Sequence, residues 1–129
     1  MKAKQQSGFT LIELVMVIVI LGILAAVAIP QFVDLSTEAK AAAVQGVAGG
    51  LSSASAVNYA ACSVRPAACV TVTDCETAEA TIQGGLSPGY EIVAGTIANT
   101  VGASADCAVR LADETTVTAN FVAIRTAVD

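Results

Sequence analysis

Glu13 is the only charged residue in a run of 21, Phe9 through Ile29, that is otherwise apolar apart from Thr10 and Gly22. A carboxylate in such surroundings either reaches toward polar headgroups or meets a cation. The chain itself can supply that cation. A cut between Gly8 and Phe9 gives Phe9 an α-amine. On one copy that amine can pair with Glu13 of another, and apolar surroundings strengthen the attraction. The remaining reactive groups are few. There is no histidine, so the usual general base and the commonest zinc ligand are both missing. No glycine-rich phosphate loop opens a helix. The adjacent Asp113 and Glu114 lie in a threonine-rich polar stretch and read as a solvated turn. No catalytic residue, cofactor site or metal site is expected.

The run from Phe9 to Ile29 must be a helix to place Glu13 one turn from its start. At ~1.5 Å per residue it extends about 31 Å, matching a hydrocarbon core of ~30 Å. Lys2 and Lys4 precede it, and Asp34 and Glu38 follow it against Lys40. The positive-inside rule therefore puts the N-terminus in the cytoplasm and the remainder outside. Residues 1–8 are short, polar and basic, a leader. The apolar run is too long for the h-region of a secretory signal, so the anchor is retained. Gly22 and Pro30 weaken the far end of this helix, because glycine lowers helix propensity and proline removes a backbone donor.

Beyond Pro30 the pattern becomes amphipathic. Phe32, Leu35, Ala39, Ala42, Gly46 and Gly49 recur at spacings of three and four, and Val44, Val47, Leu51 and Ala54 form a neighbouring, bulkier face. One helix from about Phe9 to about Ala61, roughly 80 Å long, accounts for both halves. Gly46, Gly49 and Gly50 weaken it, and close packing by another helix must offset them. After the loop around Pro66, Val70–Thr73 reads as a strand. Thr73 to Glu76 reads as a capping box opening a short helix, 76–83, that ends at Gly84-Gly85. Further strands are expected at Tyr90–Ala94, Cys107–Leu111 and Thr115–Ile124. The fold class is α+β: a long N-terminal helix packed through its Val44/Val47/Leu51 face on a small antiparallel sheet. The chain divides into a leader (1–8), a membrane or filament-core half-helix (9–30) and a head (31–129).

Lys and Arg number 6 against 11 Asp and Glu, a net −5. Loss of Lys2 and Lys4 with the leader takes this to −7 before the new amine is counted. Such a balance disfavours nucleic acid, whose binding is dominated by Lys and Arg. Four cysteines, Cys62, Cys69, Cys75 and Cys107, all follow the span. Their even number and exported position favour disulfides over a metal site. Four cysteines allow three pairings. Local geometry favours Cys62–Cys69, closing the Pro66 loop, and Cys75–Cys107, tying the short helix to a strand.

Gly8-Phe9-Thr10-Leu11-Ile12-Glu13 followed by the apolar run resembles the prepilin signal of the type IV pilin and type II pseudopilin superfamily. The clear resemblance covers roughly residues 1–60. It implies cleavage between Gly8 and Phe9 by prepilin peptidase, N-methylation of Phe9, and assembly on an inner-membrane platform into a homo-oligomeric helical filament. It also implies that Glu13 serves methylation and subunit register. Gly22 and Pro30 match the family's helix-loosening glycine and kink proline. The function implied is a structural subunit of a type IV pilus-like filament of a Gram-negative bacterium, for attachment or motility. It would be held in the inner membrane as a single-pass precursor and be extracellular once assembled. A pseudopilin of type II secretion is the alternative. Two cysteine pairs and a loop-rich head lean toward a pilus subunit, of the mannose-sensitive haemagglutinin type.

Overall fold

In the computed structural model, which describes residues 7–127, one α-helix, α1, runs from Leu11 to Val64 without interruption. Residues 1–6, most of the leader with Lys2 and Lys4, lie outside the described residues. The helix passes Ala61 and stops where a proline dictates. Arg65 precedes Pro66 and is pushed out of the helical region, to φ −141° and ψ 87°. Pro30 sits inside the helix.

The chain divides into two compact units, Met1–Glu38 and Ala39–Asp129. In the first, the large apolar side chains from Phe9 to Leu35 are exposed. The second contains the C-terminal part of α1 and a three-stranded antiparallel sheet of β1 (Tyr90–Ile92), β2 (Ser104–Leu111) and β3 (Thr118–Ile124), in the order β1-β2-β3. Alternation along the strands decides the inward face: Cys107 and Val109 on β2, Phe121 and Ala123 on β3 are buried, with Cys107 opposite Phe121. Val44, Leu51 and Val72 fill the space against them, all fully buried.

The buried stripe of α1 is Val44, Ala48, Leu51, Ser55 and Asn58, so two of its five positions are polar. They complete the sheet. β3 is an edge strand whose outer N–H groups need acceptors. The Val122 N–H donates to Ser52 Oγ at 3.0 Å and the Ile124 N–H to Ser55 Oγ at 2.8 Å. Asn58 does the same for residue 70: Nδ2 donates to the Val70 carbonyl at 2.8 Å, and Oδ1 accepts from its N–H at 2.9 Å. Thr126 then takes Val72, accepting its N–H on Oγ1 at 2.8 Å and donating its own N–H to the Val72 carbonyl at 3.0 Å. This explains why the strand expected at Val70–Thr73 does not form. Its backbone groups are bonded to side chains and to Thr126, and only an isolated bridge, Asp74 with Thr96, remains there.

The capping box also shifts by one residue. Asp74, not Thr73, accepts the Thr77 N–H at 2.8 Å, and Thr77 Oγ1 accepts the Asp74 N–H at 3.1 Å. The segment it opens, Glu76–Thr81, is a 3-10 helix shorter than the expected 76–83. Cys62 is joined to Cys69 and Cys75 to Cys107. A Cβ at Gly95 would stand 2.7 Å from Cys75 Sγ, and one at Gly102, where φ is +87°, would stand 2.8 Å from Tyr59 Oη. Close approach at Gly95, and backbone conformation together with close approach at Gly102, therefore require glycine. Arg125, 3% exposed, ties the far end of the sheet together. Its Nε donates to the Ala127 carbonyl and its Nη1 to the Thr73 carbonyl, each at 2.6 Å.

Two predictions follow from this bonding. Asn58→Ala leaves the Val70 N–H without its acceptor, while the Val70 carbonyl keeps the Thr126 hydroxyl at 2.9 Å, and destabilises the protein by about 1–3 kcal/mol, measured by denaturant unfolding in detergent; an unchanged midpoint would show that water replaces the amide. The Asp74 carboxyl is held below its usual pKa, chiefly by the Thr77 N–H and against some desolvation. The folded protein thus binds this proton less tightly than the unfolded chain. The resulting stability is complete above about pH 4 and is lost as pH falls through the lowered folded-state value. Asp74→Asn should flatten that part of the acid-unfolding curve, and an unaltered curve would refute the assignment.

Candidate functional site at the start of the long helix

Ser7 to Thr10 carry no regular structure, and all four are exposed. The Gly8–Phe9 bond is therefore accessible, immediately ahead of α1. Helix formation starts at Leu11 because Thr10 caps it. The Leu14 N–H donates to the Thr10 carbonyl at 3.3 Å, and the Glu13 N–H points at Thr10 Oγ1 at 3.4 Å. The carboxylate answers in the reverse direction. Glu13 Oε2 accepts from both the Thr10 N–H and the Thr10 hydroxyl, each at 2.7 Å. Thr10 and Glu13 thus form a reciprocal capping box, which the positive end of the helix dipole favours.

Phe9 and Glu13 share a shallow concavity with Leu14, Met16 and Val17, and a second with Ser7 and Gly8. Of the residues singled out from the sequence, the structure therefore gathers Gly8, Phe9 and Glu13. Gly22 and Pro30 lie further along the same helix, both exposed. The cysteines belong to the other unit. Thr10 escaped the sequence reading although its signal was present, a threonine three residues before a glutamate at the head of an apolar run.

This arrangement offers one carboxylate, hydrogen-bonded to the hydroxyl of Thr10. In the head, Glu114 of the acidic pair receives Lys40 at 2.7 Å, which makes it an ion-pair partner across the fold. Among the described residues no group of three or more potential metal ligands comes together. By length and composition the N-terminal part of α1 is able to cross a membrane.

Residues 3–29 match the family of the prokaryotic N-terminal methylation motif. The type IV narrow pilus major component PilA5 of Thermus thermophilus is 54% identical over 57 residues, 44% of this chain and 47% of that protein. The type II secretion system core protein G of Pseudomonas aeruginosa is 52% identical over 46 residues, 36% of this chain and 32% of that one. Fimbrial protein EcpC of Eikenella corrodens is 44% identical over 62 residues, 48% and 40% of the two chains. The chain thus spans less than half the length of these relatives. No solved structure matches it. Over its N-terminal part, then, the chain carries the methylation motif and is similar to subunits of type IV pili and of type II secretion systems.

Proposed function

We propose that this chain is the structural subunit of a type IV pilus-like filament, cut between Gly8 and Phe9 by prepilin peptidase, N-methylated at Phe9 and assembled from the inner membrane. The observation that carries this reading is an exposed apolar helix whose first turn holds a lone carboxylate beside the processing bond. Once the Phe9 amine exists, Glu13 of a neighbouring copy is its natural partner. The pair sets the register at which helices pack, and the head, with its two disulfides, coats the outside, for attachment or motility. A head held by disulfides suits an oxidising compartment. That agrees with a cytoplasmic N-terminus, an exported head and a Gram-negative envelope.

The glycines of α1 support a packed helical core. At Gly46, Gly49 and Gly50 nothing lies within 4 Å of the place a Cβ would occupy. Among the described residues no contact requires them, while each costs about 1 kcal/mol of helix propensity relative to alanine. A second helix approaching closely is the reason they offer. Gly22 and Pro30 would loosen the helix within that core, where neighbouring helices can serve the freed backbone groups.

Similarity to a type II secretion protein favours a second reading, a pseudopilus subunit. Electron microscopy of sheared surface material separates the two. Long fibres containing this chain support the pilus, whereas loss of protein export on deletion, with no fibres, supports the pseudopilus. Within either filament, Glu13→Gln subunits should insert and be cleaved but polymerise poorly. Normal fibre yield from that variant, measured per processed subunit, would overturn the charge pairing.

A further inference from the structure

We propose that Thr10 is the positioning residue for Glu13, holding one carboxylate oxygen so that the other is presented to the incoming chain. The inference rests on the filament reading above. Both donors of Thr10, its N–H and its hydroxyl, converge on Oε2 at 2.7 Å. Among the described residues no hydrogen bond or ion pair reaches Oε1. A glutamate side chain with three rotatable bonds would otherwise wander toward the nearest polar layer. The two bonds from Thr10, returned by the Glu13 N–H to Thr10 Oγ1, fix it against its own helix.

The consequence is a half-filled acceptor. Before assembly the chain supplies two donors to a group that apolar surroundings leave without water, which eases its residence in a membrane. On assembly nothing has to be broken, because the ammonium of a second copy can approach Oε1 while Thr10 keeps Oε2. The carboxylate is preorganised for this contact, and preorganisation is gained by removing rotamers beforehand. Thr10 also directly follows the residue that carries the amine. The helix start that orients Glu13 on one copy is therefore the same one that presents Phe9 on the next.

The test separates the hydroxyl from ordinary capping. Glycine is nearly as good an N-cap as threonine, but it has no hydroxyl to donate. In the full-length chain, expressed with its assembly machinery, we compare Thr10→Ser and Thr10→Gly. Membrane insertion, cleavage after Gly8 and sheared fibre yield per processed subunit are measured. Serine should assemble like the wild type, and glycine should lose about tenfold in yield, the value of one hydrogen bond to a charged group. Equal yields from the glycine and serine variants, with wild-type fibres present, overturn this inference alone. A serine variant as poor as the glycine variant overturns it too. Absence of wild-type fibres overturns the filament reading and this inference with it. Should Thr10→Gly fail to insert, the double variant Thr10→Gly/Glu13→Gln decides. Restored insertion shows that the hydroxyl had been satisfying the carboxylate, and continued loss refutes it.

Discussion

A carboxylate can live in an apolar helix only if something replaces the water it has lost. Every feature at the start of α1 follows from that constraint. Glu13 lies in the first turn, where unpaired backbone N–H groups and the helix dipole are available, and Thr10 stands where its hydroxyl and N–H both reach Oε2. Placed at the middle of the run, near Ile20, the same acid would have every nearby N–H already committed to the helix ladder. Position along the helix, not residue type alone, makes the group tolerable.

The head meets a related problem with different means. It has a small core and a three-stranded sheet with two edges. Burying the outer edge of β3 with no partners would strand its N–H groups, at a cost comparable to several lost hydrogen bonds. A fourth strand would solve this but needs more chain. Ser52 and Ser55 solve it from the helix, and Asn58 does the same for the backbone of Val70. The two hydroxyls take over part of the ladder while Val44 and Leu51 fill the core from the same helix. Because small domains bury a modest fraction of their surface, the two disulfides contribute where the core is thin. Cys75–Cys107 does so from inside it, with both cysteines 2% exposed.

What was legible in the sequence follows from how each signal is encoded. The spacing of Val44, Val47 and Leu51 gave the helix and the side that packs, because burial of apolar groups has a period that local reading detects. The alternation around Phe121 gave β3 for the same reason. Residues 70–73 misled because Val-Thr-Val-Thr has strand propensity, while the groups that claim its backbone, Asn58 and Thr126, are 12 and 56 residues away from Val70. The buried polar positions of α1 were illegible in the same way. A serine in an alanine-rich helix reads as surface until the strand edge it serves is known. Thr10 is a different case, since its cue was local and was overshadowed by the stronger oddity of Glu13. Its partner was in plain view three residues on.

In the proposed filament, register is a question of which interactions change when one helix slides past another. Apolar side chains along the run from Leu11 to Ile29 are nearly interchangeable, and helices in lipid gain little hydrophobic drive from exchanging tails for each other. A slip by one turn, about 5.4 Å, therefore leaves most of that packing similar. The proposed charge pair would not tolerate it. Coulomb attraction falls inversely with distance, so sliding an ammonium that faces the carboxylate at about 4 Å by one turn takes it to about 7 Å, forfeits roughly 40% of the attraction and breaks the hydrogen bond entirely. Under the proposed pairing, a single acid held by Thr10 would discriminate between registers that the apolar residues of the run cannot, and a low-dielectric surrounding would sharpen that discrimination.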